Sequence, residues 1–244
     1  MNQTINELDR RKSTRIFSDK HISEEIKKAI FEATVNAPSA GNMQLYTIIE
    51  VVDQNIKDEL AVLCDNQSFI SKADLVLIYL ADYQKWYDAF ISCGLKTREI
   101  QEGDLLLASA DACIAAQNTV TAAESFGIGS CYIGDIMENY EKVKELLNLP
   151  RYTYPACMLV LGYPDDEVKK VIKPKRVDNK YIFHKNKYHL MNKDELKDML
   201  AYKANNRTYE EYMEMFVNRK HNSDFSYEMQ RSAREYLKDF SKNK

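Results

Sequence analysis

The sequence predicts an α+β protein in which helices cover both faces of a mixed sheet. Two short apolar runs, "ADLVLIYLAD" and "ACMLVLGYP", indicate strands. Between them, "GDLLLASADACIAAQNTVTAAESFG" has apolar and small residues around nearly its whole circumference, which predicts a helix buried on most sides. Only seven glycines among 244 residues also favour a helix-rich chain. Strands and helices in this order favour one sheet with helices packed against it.

The N-terminal elements are predicted from capping residues and apolar spacing. Thr4 followed by Glu7 predicts a capping box at the start of a short helix. Ser23 before two glutamates predicts a second helix, because its hydroxyl can accept from first-turn amides and the acids complement the helix dipole. That helix should end at "NAP". The elbow "PSAGNMQ", Pro38 to Gln44, should then lead into a strand from Tyr46 to Val52.

The later elements divide the chain near residue 164. "NIKDELAVLC" predicts an amphipathic helix, and another helix is expected from Tyr140 to Leu147. After Pro164 the composition becomes polar, basic and aromatic without a sustained period, and three charged amphipathic helices follow. We therefore expect residues 1–164 to form a core. Residues 165–244 should form an arm and C-terminal helices that complete the same domain.

Composition and charge exclude several classes of function. Hydrophobic residues make up 45% and charged residues 29% of the chain, as in ordinary globular proteins. The net charge of −3 gives no attraction to nucleic acid or anionic membranes, and no apolar run is long enough to span a bilayer. The four histidines have no metal-ligand spacing, and the five cysteines lack a C-x-x-C pair and lie mostly in apolar segments. We expect a cytoplasmic protein without a signal peptide, with reduced structural cysteines and without a metal.

A basic cluster, "RRKSTR" at residues 10–15, places four cations within six residues of a slightly acidic protein. Such clusters usually coat a solvated helix face. Ser13 and Thr14 favour a different interpretation, because a phosphate monoester binds guanidinium groups together with hydroxyl donors. The chain has neither a P-loop nor a G-x-G-x-x-G turn to account for phosphate binding. From the cluster alone, both interpretations stay open.

The elbow also has two interpretations. Pro, Gly, Ser and Asn are ordinary turn residues, so the elbow could be a turn and nothing more. It could instead form part of a small-molecule site, because Ser39, Asn42 and Gln44 offer donors and acceptors. Gly41 would let the backbone approach a flat ligand, and Gln67 could add another amide.

Taken in order, four motifs resemble the FMN-dependent nitroreductase family. They are "RRKSTRIFSDKHIS", "APSAGNMQ" before a strand, "YIGDI", and "LGYP" followed by "KPKR". Within the family they are similar to the branch of NADPH-preferring nitroreductases and flavin reductases of luminous bacteria. The resemblance covers nearly the whole chain. It implies an α+β, nitroreductase-like fold with a mostly antiparallel or mixed sheet, and a homodimer in which an extended C-terminal arm wraps the partner.

The resemblance also implies which residues bind FMN. "RRKSTR" would hold the phosphate, the elbow would meet the flavin edge, and "YIGDI" would cover the other face of the ring. Ala40 stands where a second serine is common, which leaves only its backbone donor, and Asp135 stands where relatives often have glycine. The implied FMN-binding residues are Arg11, Lys12, Ser13, Arg15, Pro38, Ser39, Ala40, Gly41, Asn42, Gln44, Gln67, Tyr132, Ile133, Gly134, Asp135, Lys173 and Lys175.

The activity implied by the resemblance needs no catalytic side chain, because the flavin carries the chemistry. NADPH or NADH would give a hydride to FMN and leave. A nitroaromatic, a quinone or a free flavin would then take the electrons in the same cleft, by ping-pong kinetics. Lys173 would stabilise the negative charge of the reduced flavin near N1. Arg219, placed on a loop between helices Tyr209 to Phe216 and Tyr227 to Phe240, would meet the 2′-phosphate of NADPH.

Three alternatives remain beside this oxidoreductase. The chain could be a flavin reductase that supplies free reduced FMN, or a flavin-binding protein without turnover. A nucleic-acid module is disfavoured by the net charge of −3 and by the lack of a basic face interleaved with aromatic residues.

Overall fold

The computed structural model describes residues 2–241, except for the side chain of Lys169. The chain divides into two units. The first contains the described residues up to Val171 and those from Glu228 onward, and the second is Ile172–Tyr227. The predicted division at residue 164 stays a prediction, although the C-terminal residues from Glu228 belong to the first unit.

The first unit is built on a sheet of four antiparallel strands. Their order is β1-β2-β4-β3. The mostly antiparallel sheet implied by the resemblance is confirmed, whereas the mixed sheet expected from element order is wrong for these four strands. Element order does not fix strand direction. The connections from β1 to β2 and from β3 to β4 each return to a neighbouring strand at the same end of the sheet, which makes these pairs antiparallel. The strands are β1 Tyr46–Glu50, β2 Leu75–Asp82, β3 Gly129–Ile133 and β4 Thr153–Gly162.

Helices of the first unit lie on both sides of this sheet, as predicted. The helices are α1 Gln3–Arg10, α2 Glu24–Val35, α3 Gln54–Leu63, α4 Gln84–Ser92, α5 Glu102–Ser125, α6 Tyr140–Leu146 and α7 Asp166–Lys169. The second unit holds α8 Lys193–Ala204 and α9 Tyr209–Lys220. The last helix, α10 Asp224–Phe240, begins in the second unit and continues in the first.

Capping explains which helix starts were predicted correctly. Ser23 caps α2, with its hydroxyl accepting from the Ile26 amide, as predicted. The capping box at Thr4 is wrong, because Asn2 caps α1 and accepts from the Ile5 amide at 3.0 Å. Asn is at least as good an N-cap as Thr, so the local rule did not distinguish the two positions. Helix α4 was not predicted, and Tyr83 before it makes no side-chain cap.

The core consists of two layers that share β2, whose eight residues are all buried. Alternate residues of a strand point to opposite faces, so Ile78 packs with α3 and α6 while Tyr79 packs with α2 and α5. The Tyr79 hydroxyl meets Thr119 of α5 at 2.5 Å. Small side chains of α5, such as Ala112, let this helix lie close to the sheet.

Helix α5 is buried on one side within the single chain, rather than on most sides as expected. Leu105 and Ala108 are in the core. On the other side, Leu106, Leu107 and Ile114 are 70%, 46% and 41% exposed. These three residues are called the α5 apolar face below. None of the helices in residues 2–241 has the length and apolar character needed to cross a bilayer.

The second unit contains two helices with reciprocal caps. Asn192 with Glu195 begins α8, and Thr208 with Glu211 begins α9. Helix α9 continues to Lys220, so the loop predicted for Arg219 is wrong. Basic residues in a last turn complement the helix dipole, which favours this extension.

Candidate functional site

The basic cluster is fixed to the edge of the sheet through its backbone. Ser13 bridges Ser130 of β3, and the Thr14 amide donates to the Ser130 carbonyl at 2.9 Å. Thr14 itself is buried. Its side chain fits only because residue 129 is glycine, where a Cβ would lie 2.3 Å from the Thr14 hydroxyl. The segment therefore has a defined position before any ligand is considered.

The cations of this cluster are not equivalent. Lys12 donates to the carbonyls of Val168 and Val171, each at 2.6 Å, so its ammonium group is held against the protein. Nη1 of Arg11 is buried and has no hydrogen-bond partner within residues 2–241. Arg15 is exposed, with its guanidinium carbon 5.8 Å from the ring centre of Phe69. Arg10 is the exposed last residue of α1, so Arg11 and Arg15 are the two guanidinium groups of the segment that follows the helix.

Both guanidinium groups lie along β3. Burial raises the pKa of the Cys131 thiol, and Arg15 opposes that shift. Burial likewise raises the pKa of Tyr132, and Arg11 opposes it. Arg11 also opposes the shift at Cys131, so both guanidinium groups lie near the β3 edge of the sheet, where Ser13 bridges Ser130.

The elbow has an unusual backbone conformation. Gly41, Asn42 and Gln44 have φ of 56°, 56° and 47°. Only glycine adopts such angles without cost, so the two amide residues need compensating contacts. The Ser39 hydroxyl supplies one of these contacts by accepting from the Gln44 amide at 3.0 Å. The Trp86 indole supplies another by donating to the Met43 carbonyl at 2.9 Å.

Asp111 of α5 is the main anchor of the elbow and was missed from the sequence. Its carboxylate is buried and accepts from the amides of Ala40 at 3.0 Å and Leu45 at 3.2 Å. The expectation that Ala40 keeps a backbone donor for the ligand is therefore wrong, because that donor is already used. A single aspartate inside the otherwise apolar run "ASADACIAA" was the available signal. The exposed Asn42 and the half-exposed Gln44 remain as the elbow's amide side chains.

Gln67 and Asp135, which the resemblance assigned separately, are hydrogen-bonded to each other. The Gln67 side-chain amide donates to the Asp135 carboxylate and to the Cys64 carbonyl. An amide group has only two donor hydrogens. Gln67 could therefore contact a ligand only through its carbonyl oxygen.

The nitroreductase family model matches residues 8–163. The chain belongs to the nitroreductase family. It is 33% identical over 224 residues to "FMN reductase [NAD(P)H]" of Bacillus subtilis, covering 91% of this chain and 86% of the relative. It is 31% identical to "FMN reductase (NADPH)" of the same organism, covering 100% and 98%.

Two solved structures are similar over nearly their full lengths. The NfrA1 nitroreductase from B. subtilis superposes with a TM-score of 0.84 at 27% identity, covering 99% of this chain and 100% of that chain. The NADPH:FMN oxidoreductase from Vibrio harveyi, in complex with NAD+, gives a TM-score of 0.80 at 28% identity, covering 97% and 98%. The nitroreductase-like fold expected from the sequence is confirmed.

In this member of the nitroreductase family, the end of β3 and the turn after it divide between core and surface. Tyr132 is 37% exposed, and its hydroxyl lies 3.4 Å from the Gln117 side-chain oxygen. Ile133 is only 2% exposed and packs in the core, so its side chain cannot face a ligand. Gly134 is exposed. Tyr132 can therefore present a side chain, while Ile133 and Gly134 could contribute only backbone.

Glu138, at the end of the same turn, is a second residue that sequence reasoning missed. It is 4% exposed, and its Oε1 has no hydrogen-bond partner in the described part of the chain. Burial raises its pKa to about 7, helped by the nearby carboxylates of Asp135, Asp65 and Glu228. At neutral pH this carboxyl group is therefore partly protonated.

The remaining predicted residues belong to the second unit. Lys173 is half-buried and Lys175 is exposed, in the segment after residue 171. Arg219 is exposed in the last turn of α9, with its guanidinium carbon 6.0 Å from the ring centre of Phe216. Their assignments stay predictions that rest on the resemblance.

Proposed function

We propose that this nitroreductase is an NAD(P)H-dependent FMN oxidoreductase that reduces nitroaromatics, quinones or flavins. Curated relatives that align with 91% and 100% of the chain are named as FMN reductases. The observation within the molecule that supports the proposal concerns Nη1 of Arg11. This nitrogen is buried and has no hydrogen-bond partner among residues 2–241, and its loop also presents Arg15 and Ser13.

The residues present fit the phosphate of FMN. A buried guanidinium N–H without an acceptor costs free energy, and a phosphate oxygen would remove that cost. Arg15 would add a second charge-assisted contact, and the exposed Ser13 hydroxyl a short O–H bond. Lys12, whose ammonium is held by two carbonyls, would act through its charge more than through direct donation.

The ring of FMN would be oriented by groups held in place by the rest of the chain. Asn42 and Gln44 would bind its edge from an elbow fixed by Asp111. Tyr132 would lie against one face of the ring, with the backbone of Gly134 beside it. Gln67 would offer its carbonyl oxygen, because both of its donor hydrogens are used.

The chain's residues bind and orient, and the cofactor carries the electrons. When held by these residues, FMN would supply the redox chemistry, which is hydride uptake from NADPH or NADH and electron transfer to the acceptor. An elbow whose backbone is held by Asp111 and Trp86 needs no rearrangement during turnover, so it can serve electron donor and electron acceptor alike. Two residue roles remain predictions from the resemblance. Lys173 would place a positive charge near the flavin, and Arg219 would bind the 2′-phosphate of NADPH. They are tested by the flavin potential of Lys173→Ala and by the NADPH-to-NADH ratio of kcat/KM in Arg219→Ala.

The central experiment is an anaerobic titration of the FMN-loaded chain with NADPH. We expect the yellow colour to bleach, and to return at acceptor-dependent rates when nitrofurazone, a quinone or free FMN is added. A chain that binds FMN but is not bleached by either nicotinamide would be a flavin-binding protein without turnover. A chain that binds no FMN would contradict the proposal altogether.

A flavin reductase that releases reduced FMN is the second candidate, because both curated relatives are named as FMN reductases. The two candidates differ in the preferred acceptor. Faster reoxidation by free FMN than by nitrofurazone and quinone would favour the reductase. The reverse order would favour a nitroreductase or quinone reductase.

We also propose that the chain works as a cytoplasmic homodimer. The α5 apolar face exposes three large aliphatic side chains on one helix, more than a solvated helix normally presents. Burying this face against a second copy would remove it from water, and the C-terminal arm would wrap the partner. Light scattering should give twice the monomer mass, and Leu106→Lys should shift the protein toward monomer. A wild-type monomer that still holds FMN would contradict the dimer.

A further inference from the structure

We propose that Glu228 and Ser232 of α10 are positioning residues for the turn after β3, and so for the FMN ring. The inference rests on the proposed function, which places this turn beside the ring. The turn runs from Gly134 to Glu138, and its last two amides donate to its first two carbonyls. Asn139 alone separates the turn from α6. Contacts that fix the start of α6 therefore also fix the end of the turn.

Helix α6 begins without a cap from its own segment of the chain. An N-cap residue is normally extended, and its side-chain oxygen accepts from a first-turn amide. Asn139, which precedes α6, is instead left-handed with φ of 53° and ψ of 46°, and its side chain makes no capping bond. That side chain donates to the Leu63 carbonyl at 2.9 Å, at the end of α3. The amides at the start of α6 therefore need acceptors from another element.

Helix α10 supplies these acceptors. The Asn139 amide donates to the Glu228 carboxylate at 3.1 Å, and the Tyr140 amide donates to the Ser232 hydroxyl at 2.9 Å. Ser232 also donates to Glu228 at 2.8 Å. The two side chains are four residues apart and lie on one side of α10, and they belong to the same unit as the turn. They are called the α10 cap below.

Arg231 keeps the cap charged and in place. Its guanidinium donates to both carboxylate oxygens of Glu228, at 2.7 and 2.9 Å. It also donates to both oxygens of Glu141 in the first turn of α6, each at 2.8 Å. The hydrogen bond from Arg231 lowers the pKa of Glu228 to about 2, so Glu228 is ionised at neutral pH. A carboxylate is a favourable acceptor at a helix N-terminus, because it complements the helix dipole.

The other side of the turn is held by the core and by the loop after α3. The Gln67 side-chain amide donates to Asp135, and the side chain of Ile136 is fully buried. These contacts fix the start and the middle of the turn, whereas the α10 cap fixes its end. Under the proposed function, the exposed backbone of Gly134 lies beside the flavin ring. Loss of the cap would let this backbone shift, which weakens contacts to the ring and leaves the phosphate contacts of the basic cluster intact.

The test is calorimetric binding of FMN and of riboflavin to Glu228→Ala and Ser232→Ala. We expect both ligands to bind roughly fivefold more weakly, because they share the ring and differ only in the phosphate. The visible circular dichroism of bound FMN should change as well. Glu228→Gln keeps an oxygen acceptor for Asn139 and should retain wild-type affinity. Glu235→Ala, which removes an ion pair with the exposed Lys238 on the same helix, is the matched control and should change neither affinity nor spectrum.

Hydrogen exchange of the unloaded protein separates this inference from the proposed function. Amides of residues 134–139 should exchange faster in Glu228→Ala than in the wild type, and at the wild-type rate in Glu235→Ala. A wild-type chain that binds neither flavin would contradict the proposed function, and these exchange rates would still decide whether α10 holds the turn. If Glu228→Ala does not fold, Ser232→Ala decides by the same measurements.

Three results would overturn the inference. The first is unchanged exchange of the turn in both alanine variants. The second is a lower free energy of unfolding with unchanged affinities and an unchanged spectrum, which would make the α10 cap a support of α6 alone. The third is a loss of affinity for FMN but not for riboflavin, because the cap would then act on the phosphate rather than on the ring.

Discussion

In the elbow, residues 38–44, four backbone amides are already paired within the protein, whereas in the basic cluster the buried Nη1 of Arg11 has no hydrogen-bond partner within residues 2–241. Asp111 holds the amide of Ala40 and that of Leu45 just after the elbow, and Trp86 holds the Met43 carbonyl. The basic cluster has an equally fixed backbone, tied to Ser130, yet it leaves Nη1 of Arg11 unsatisfied. The two regions are expected to bind opposite ends of one cofactor.

The elbow and the basic cluster therefore contribute differently to the stability of the fold and to ligand binding. The unusual angles of the elbow cost free energy that its own hydrogen bonds offset, so its shape does not depend on a ligand. Nη1 of Arg11, which has no partner among the described residues, is a cost that the folded chain carries until an anion binds. Ligand binding should therefore stabilise the protein mainly through the basic cluster, by mass action on the folded state. Mutations can test the two regions separately.

The largest effect is expected from Asp111→Ala. The substitution leaves the amides of Ala40 and the buried Leu45 without an acceptor, so the free energy of unfolding should fall by about 3–5 kcal/mol. Urea unfolding without FMN measures it. Ser39→Ala, which removes one elbow hydrogen bond, is the control and should cost about 1 kcal/mol. A loss below about 1 kcal/mol for Asp111→Ala would mean that the elbow does not depend on its anchor.

Arg15→Ala and Arg11→Met should instead act on FMN affinity. Each removes a charge-assisted contact to the phosphate, so FMN binding should weaken by about 2–4 kcal/mol while riboflavin binding hardly changes. Calorimetry with both ligands separates the two. Arg10→Ala, which removes an exposed cation from the end of α1, should leave both affinities unchanged. Equal losses of affinity for FMN and for riboflavin would show that the basic cluster is an ordinary solvated surface and does not bind the phosphate.

The same contrast explains what the sequence could predict. The cap at Ser23, the buried β2 and the basic cluster depend on neighbouring residues, and local rules identified them. Asp111 contacts residue 40 from 71 positions away, and no local pattern specifies that pairing. The end of α9 was misplaced because the sequence has no strong stop signal before His221. Motifs therefore predicted a set of candidate site residues, but not which of their donors the protein already uses.

Glu138→Gln tests a buried acid whose Oε1 has no hydrogen-bond partner within residues 2–241. The folded pKa is about 7 against the ordinary 4.5, so between these values the native state keeps a proton that the unfolded chain releases. The free energy of unfolding should therefore fall as pH rises through this window, by about 2–3 kcal/mol in total. Glu138→Gln should remove that fall, which urea unfolding near pH 5 and near pH 8 would show. Parallel pH profiles for both proteins would show that Glu138 titrates normally.

The smallest effect is the coupling between Asp135 and Glu138, which lie in the turn that joins the candidate site to the core. The Asp135 carboxylate is one of the charges that raise the pKa of Glu138, and it accepts from Gln67. Asn at position 135 keeps an acceptor for Gln67 but removes the charge. In a double-mutant cycle of Asp135→Asn with Glu138→Gln, the coupling should be about 0.5–1 kcal/mol near pH 8.

Near pH 5 this coupling should vanish, because Glu138 is then protonated and no longer repels its neighbour. Asp88→Asn, at an exposed position on α4, is the matched control and should show no coupling with Glu138→Gln at either pH. A coupling between Asp135 and Glu138 that persists unchanged near pH 5 would come from packing of the turn rather than from charge. In that case the unpaired acid would be a structural feature, and only the basic cluster would carry an unsatisfied charge toward the ligand.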